Sequence, residues 1–304
     1  MSHVRKNIKT LIKAFPKLEK KVRSFLMLRK YLNRKNEGIR FLKQYYKSFY
    51  GKDLPPQPQL FTEKVFHWLI YLHKTDNRDF ARFVDKYEVR HFVRKRLGDE
   101  HLPKLYWQGL DARSIPYDRL PETFILKSNH GSGHVIKIKK GIDVGSVSAR
   151  SSRWLQENFY WAGREYQYLY IKPRLLAEEL LDDGREDGPL DYRFWCFNGV
   201  PKMVQVDNHD HSINNFYDLN WNLLNLTYRN DSELPDISIP ENFEKMVKLA
   251  SRISKGFDFV RVDLYNIHGR ILFGELTFTP VGGRIKFSPI DWDTRLGELW
   301  KFQN

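Results

Sequence analysis

Apolar positions along the first fifty residues recur with a helical period. Ile8, Leu11, Ile12 and Phe15 fall on one face, Pro16 interrupts, and Val22, Phe25, Leu26 and Leu28 form a second segment with Lys and Arg between them. This spacing predicts amphipathic helices. Phe41, Tyr45, Tyr46, Phe49 and Tyr50 continue at helical spacing, a pattern of packing rather than of base stacking. Leu54-Pro55-Pro56-Gln57-Pro58-Gln59 marks a boundary, because proline lacks an amide donor and restricts its predecessor. Thr62 is then expected to cap a helix running to about His73. Another opens at Asp85, runs through Val89, Phe92 and Val93, and stops at Gly98.

From Thr123 the period changes to that of strands: Phe124 to Lys127, a glycine loop, then the alternating run His134 to Lys139. Two hairpins follow. Tyr192–Phe197 pairs with Lys202–Asp207 across Asn198-Gly199, a dipeptide suited to the positive φ angles of a type I′ turn. Phe259–Tyr265 pairs with Arg270–Leu276 across a turn ending in Gly269. Between the hairpins a helix is expected from Glu241 to Ser254, closed by Gly256.

Composition adds class and charge. The chain has 304 residues, 41% apolar and 15% aromatic, enough for one large core or two modest ones. It has neither the roughly 18 consecutive apolar residues of a membrane span nor a signal peptide, so a cytoplasmic location is expected. The single cysteine, Cys196, lies in a strand-like run and reads as core. The net charge of +14 is uneven: residues 1–52 carry 16 Lys and Arg against 2 Asp and Glu, and the remainder carries 35 of each sign. A basic amphipathic arm suits an anionic membrane surface at the inner face of the plasma membrane, and no nucleic acid is expected as partner.

Three constellations carry candidate chemistry. Lys127 ends a strand and is followed by Ser128-Asn129-His130-Gly131-Ser132-Gly133, where glycines let backbone amides approach phosphate oxygens; a plain hairpin turn has the same composition. Arg261-Val262-Asp263-Leu264 and Gly274-Glu275-Leu276-Thr277 put two acids on adjacent strands facing one side. Magnesium between them would relieve their repulsion, and Arg261 or Arg270 would do so equally. Arg174 to Leu181 is an apolar strand ending in Glu178 and Glu179, which suit adenine or ribose contacts or a charged hinge surface. His209-Asp210-His211 has metal-like spacing without a third ligand and reads as a solvated loop. His130 and His134 flank the glycine loop. The aromatic stretch Trp154 to Tyr170 is mostly packing, and Arg164 and Glu165 within it remain unassigned.

Taken in order, these blocks resemble the ATP-grasp superfamily, and more narrowly the TupA-like ATP-grasp family of teichuronopeptide and bacterial surface-polysaccharide synthesis. The resemblance covers residues 54 to 300. It includes Phe61-Thr62-Glu63-Lys64, Asp85 to Arg90, Lys127 to Gly133, Ile171-Lys172-Pro173-Arg174, Ala177-Glu178-Glu179, Asp191-Tyr192-Arg193-Phe194, Arg261 to Tyr265, Gly274 to Phe278 and Phe287-Ser288-Pro289.

The resemblance implies an α+β ATP-grasp fold whose two α+β lobes sandwich the nucleotide after a helical N-terminal region. The expected boundaries are a basic arm at 1–52, a helical pre-grasp region at 53–115, an N-lobe at 116–182 and a C-lobe with the metal site at 183–304. It implies ATP and Mg2+ as cofactors. Lys86 and Lys127 match the lysines on ATP phosphates, Gly131, Ser132 and Gly133 the phosphate-covering loop, and Glu178 and Glu179 the hinge beside adenine and ribose. Asp263 and Glu275 match the magnesium ligands. Thr277 stands where many relatives have asparagine, which weakens the second metal site. Arg261 matches the arginine that stabilises an acyl phosphate. Arg193 is a further catalytic cation, or else an ion-pair partner of Asp191 or another lobe acid. The implied reaction is amide formation between a sugar carboxylate and an amine or amino acid through an acyl phosphate. A sugar kinase would leave a phosphoester in place of inorganic phosphate, and a non-catalytic glycosyltransferase accessory protein would bind no magnesium ATP.

Overall fold

The computed structural model describes residues 34–186, 188–208, 214–228 and 237–301. Most of the basic arm and the His209-Asp210-His211 motif therefore lie outside the described residues. The chain forms two compact units, 1–53 and 54–304. The described part of the first is the helix α1 (Arg34–Tyr50), in which the rings of Phe41 and Tyr45 lie 5.3 Å apart and those of Tyr46 and Tyr50 lie 4.6 Å apart.

The second unit opens with α2 (Phe61–Thr75). Thr62 sits inside its first turn rather than at the cap. Its N–H and hydroxyl are both taken by the Asp293 carboxylate (2.9 and 2.7 Å), while Glu63 accepts from the N–H groups of Gln59 and Leu60. A partner from far along the chain thus replaces the local cap. Beyond a single helical turn at Ala81–Val84, α3 (Val89–Leu97) starts a turn later than Asp85, whose side chain instead accepts from the N–H groups of Tyr87 and Glu88. Gly98 ends it at φ 107°.

Four strands build the first sheet: β1 (Leu105–Gly109), β2 (Phe124–Ser128), β3 (Val135–Ile138) and β4 (Leu175–Glu178), in the antiparallel order β1-β4-β2-β3. The strand β1 lies within residues 53–115, the stretch expected to be helical. It belongs to the first lobe because its backbone is paired with β4. The helix α4 (Val144–Trp154) covers this sheet through Val147 and Trp154, which pack with Phe124, Leu126, Leu175 and Ala177.

The second sheet contains β5 (Asp191–Phe197), β6 (Val200–Asp207), β7 (Asn214–Tyr217), β8 (Phe259–Ile267) and β9 (Arg270–Thr277), in the order β7-β6-β5-β8-β9. Both expected hairpins form, and their turns carry the required positive φ at Asn198 and Gly199 and at His268 and Gly269. The helix α5 (Phe243–Ser254) packs Phe243, Met246, Leu249, Ala250 and Ile253 onto the face bearing Phe194, Cys196, Val204, Val206, Val260, Val262 and Leu264. The opposite face is divided. At one end Trp195, Phe197 and Phe259 meet Phe61 of α2 and Trp300, which follows α6 (Asp291–Leu299). At the other end the inward side chains are charged.

Among the described residues no helix is long and apolar enough to cross a membrane.

Candidate active site

Alternation along β5, β6, β8 and β9 brings Asp191, Arg193, Gln205, Asp207, Arg261, Asp263, Glu275 and Thr277 to one face. Gln205, Arg193, Asp263 and Glu275 are successive register partners and form one row across four strands. The Arg261 guanidinium is bidentate on Asp263 (2.8 and 2.6 Å), donates to the Thr277 hydroxyl (3.1 Å) and lies 3.6 Å from Glu275. Thr277 in turn donates to Glu275 (3.1 Å). Arginine thus relieves the repulsion between the two acids, one of the two solutions their placement allows.

Arg193 is buried and paired with Asp191 (2.9 Å) and Asp207 (2.5 Å), with Asp263 at 3.6 Å. The ion-pair alternative is what the structure contains, with the Arg193 guanidinium held among three aspartates within the sheet. Counting side chains on this floor, four carboxylates face two guanidiniums, a balance of two negative charges. Burial pushes the Asp263 carboxyl up most strongly, against the pull of Arg261 and Arg193, to about 6. Burial also acts upward on Glu275, but the combined attraction of Lys86, Arg261 and Arg193 takes it down to about 2. Glu275 is the member of the row that reaches the cleft, with its side chain 42% exposed.

The first lobe supplies cations opposite these acids. The Lys86 ammonium donates to the Gly131 carbonyl (3.1 Å) and stands 3.7 Å from Glu275, so it touches both lobes. Lys127, on β2, pairs with Glu178 on β4 (2.5 Å), whose other oxygen takes Arg90 (3.1 Å). Glu178 and Glu179 do not share a surface. Successive side chains of an extended chain point apart, and Glu179 turns to Arg270 (2.9 Å) and the Lys104 N–H. The two acids thus have different partners, and Glu179 joins the end of β4 to the tip of the β8–β9 hairpin.

The glycine loop is built from below by residues that the sequence left without a role. The Asn129 amide donates to Asp85 (2.9 Å) and to the Lys172 carbonyl (3.0 Å), its oxygen accepts from the Arg174 N–H (2.8 Å), and its backbone carbonyl receives the Lys86 N–H (3.0 Å). One wholly buried residue, through its side chain and its carbonyl, thus fixes the Asp85–Lys86 segment, the loop and the entry to β4 together. His134 stacks on Trp154 and bonds Ser128 (2.9 Å) and Glu157 (3.2 Å), while His130 bonds Asn129 and the Trp154 carbonyl. Burial lowers the pKa of both imidazoles. They shape the loop, and a Cβ at Gly131 would stand 2.3 Å from His134 Nδ1. A cavity of about 860 Å³ lies elsewhere, lined by Lys64, His67, Trp68, Tyr71, Phe257 and Trp300. None of the residues assigned above lines it, and we place the site at the charged row because opposed charges, rather than volume, mark where a polyanion and a cation can meet.

For a divalent cation the available donors are carboxylate and hydroxyl oxygens. Among the described residues no group of three or more His, Cys, Asp and Glu could hold a metal ion. Two carboxylates on a floor with two excess negative charges nevertheless suit magnesium, which takes one or two protein carboxylates and completes its shell with phosphate and water.

The sequence from residue 66 to 301 matches the family described as TupA-like ATPgrasp. The chain belongs to the TupA-like ATP-grasp family. Its fold is the α+β ATP-grasp type with a helical region before the two lobes. Comparison with curated proteins finds no match. Among solved structures, similarity extends to D-alanine–D-alanine ligase from Bacillus anthracis complexed with ATP, at 12% identity over 68% of this chain and 60% of that one, TM-score 0.40. It also extends to the ATP-grasp ligase PsnB complexed with minimal precursor (11%, 71% and 61%, TM-score 0.36) and to the RimK domain ATP-grasp protein of Sphaerobacter thermophilus (10%, 73% and 68%, TM-score 0.39). This TupA-like chain spans about 60% of the length of the first two.

Proposed function

We propose that this protein is an ATP-dependent carboxylate–amine ligase that forms an amide through an acyl phosphate, with a sugar carboxylate of a bacterial surface polysaccharide or its precursor as the acceptor of phosphate. One observation carries the reading: Lys86 reaches from the glycine loop to Glu275, the exposed end of a carboxylate pair in direct register. A carboxylate is a poor electrophile with the same charge sign as the γ-phosphate, so both must be neutralised before they meet. Lys86 and Lys127 supply point charges, and Gly131, Ser132 and Gly133 supply backbone amides for phosphate oxygens. Asp263 and Glu275, with the Thr277 hydroxyl beside them, would hold magnesium, which when bound screens the phosphate charge. Arg261, held in place by Asp263, is positioned to stabilise charge on the acyl phosphate. Arg193 opposes the upward push of burial on the Asp263 and Asp191 carboxyls inside the sheet and would act by positioning.

Calorimetry of magnesium ATP on the full chain, beside Lys127→Ala and Glu275→Ala, tests the reading. We expect micromolar binding that weakens at least about tenfold in each variant, the loss of one charge-assisted contact. Absence of binding in the folded wild-type protein sinks it. With binding in hand, release of phosphate and ADP from mixtures of sugar acids and amines identifies a ligase, whereas a stable phosphoester identifies a kinase. The charge of residues 1–52 supports a second assignment, attachment to an anionic membrane. It predicts that the protein sediments with phosphatidylglycerol vesicles at low salt and not with phosphatidylcholine vesicles; equal sedimentation with both refutes it.

A further inference from the structure

The cavity of about 860 Å³ is lined by none of the residues of the charged row, and its size falls within the about 300–1,000 Å³ of small-molecule sites. One wall is the helix α2. Lys64, His67, Trp68 and Tyr71 stand at i, i+3, i+4 and i+7, so they share one face of that helix, and all four line the cavity. They are only partly covered, Tyr71 being 54% exposed, whereas Phe66, Leu69, Ile70 and Leu72 of the same helix are buried. The face of a surface helix turned from its core ordinarily carries charged or polar groups. Here it carries three rings.

The rings continue beyond α2. Trp68 meets Phe80 at 4.9 Å and 74°, Phe80 meets Phe278 at 4.6 Å and 77°, and Phe278 meets Phe257 at 5.1 Å and 72°. Crossed rings make a ridged wall. Trp68 and Phe278 are near-parallel (11°) but stacked on each other at 5.8 Å, so they form no slot for a flat heteroaromatic base. A puckered ring with C–H groups on its faces suits such a ridge, because those hydrogens meet the negative faces of the rings.

Polar groups complete the lining without a dominant sign: Lys64 and Lys301 balance Asp258 and Glu298. A polyanion gains nothing there. Two of the three Lys64 ammonium hydrogens go to the carbonyls of Gly297 and Trp300 (2.7 and 2.8 Å), which leaves one donor. The His67 Nε2 donates to the Pro55 carbonyl (2.7 Å), so in the neutral ring Nδ1 is an acceptor. Gln59, exposed at the rim, offers an amide of both kinds. The complementary ligand is uncharged, has an apolar face, and carries groups that both donate and accept.

We infer that this cavity binds a neutral pyranose unit of a glycan, whose C–H face packs on Trp68, Tyr71 and Phe80 and whose hydroxyls meet Lys64, His67 and Gln59. The inference stands on the cavity alone and does not need the ligase reading. Phe259, which also lines the cavity, precedes Asp263 by four residues on the same face of β8, on the order of 13 Å. An oligosaccharide with an acidic unit at the charged row would therefore extend a neutral unit toward this cavity.

Methyl glucopyranoside, methyl galactopyranoside and cellobiose are the probes, titrated into the full chain and followed by saturation-transfer NMR, with cyclohexanol and adenosine as comparators. Magnesium ATP binding is measured by calorimetry on the same samples, so the two sites are scored separately. We expect saturable binding of at least one of the three sugars, undisturbed by magnesium ATP. Tyr71→Ala should weaken it about two- to tenfold, the worth of one aromatic contact, and Tyr71→Phe should keep it. Gln59→Ala, at an exposed position, should weaken it severalfold; thermal melting checks that each variant is folded. No saturable sugar binding by the folded wild type, or equal binding in Tyr71→Ala and Gln59→Ala, overturns the site. Cyclohexanol or adenosine binding as tightly as the sugars overturns the ligand class, and displacement by magnesium ATP overturns the location.

Discussion

Asp263 and Glu275 stand opposite each other across the β8–β9 ladder, yet one is 1% exposed and locked by Arg261 while the other reaches the cleft. Equal chemistry in unequal surroundings separates their contributions. Asp263→Ala leaves Arg261 buried without its bidentate partner and should lower stability by about 3–5 kcal/mol. Glu275→Gln, at a half-buried position where solvent screens the attraction of Lys86 and Arg261, should cost clearly less than Asp263→Ala. Both should weaken magnesium ATP binding. Urea titration of the two variants distinguishes them, and similar losses would contradict the division.

The two acids also oppose each other in pH dependence. Glu275 has its folded pKa below its ordinary value of 4.5, at about 2, so its stabilisation is complete above about pH 4.5 and is lost as pH falls toward 2. Asp263 is raised from 3.8 to about 6, so the folded state holds its proton more tightly, and this group's contribution falls as pH rises from about 4 to 6. Thermal melts of wild type and Glu275→Gln between pH 3 and 7 should therefore differ above pH 4.5 and converge below it. A gap that widens on acidification would reverse the assignment.

Adjacent residues at the end of β4 should behave as different kinds of acid. Glu178→Ala removes the counterion of both Lys127 and Arg90 in a buried setting and should cost about 3 kcal/mol or more. Glu179→Ala removes an exposed pair with Arg270 and should cost under about 1 kcal/mol, less still in high salt. Chemical denaturation at two ionic strengths checks both.

Cys196 is fully buried, and burial pushes its thiol up to about 12. At pH 8 almost none is thiolate, so a disulfide reagent such as Ellman's should react only at the rate of unfolding. Rapid stoichiometric labelling of the native protein would show that this strand opens readily.

Much of the second lobe was legible because its information is local. Asn198-Gly199 and Gly269 announce their turns, and once the second hairpin is drawn Asp263 falls within one residue of Glu275 on the partner strand. One detail escapes alternation: a bulge leaves Gly274 unpaired between Phe273 and Glu275, so counting by twos from Arg270 puts Glu275 on the wrong face. The first lobe was read less well, since β1 is five residues with no alternation and exists through its partner β4. Thr62 and Asp85 were misassigned as helix starts because each has a plausible neighbour in sequence, and for Thr62 the partner that prevails, Asp293, comes from another element. For Arg193 the ion-pair reading named Asp191 or another lobe acid, and the structure pairs it with Asp191 and Asp207 together. Asn129 gave no signal, because its partners converge only in three dimensions.

Asn129 has a mechanical consequence. Its side chain ties Asp85, Lys172 and Arg174 at the root of the glycine loop, so the root cannot shift without dragging two remote stretches of chain, one at Asp85 and one at 172–174. Any bending of the loop over a bound molecule is thereby concentrated in the three residues beyond His130. The loop works as a short lever on an anchored fulcrum, with the tip of Lys86 resting against its first glycine.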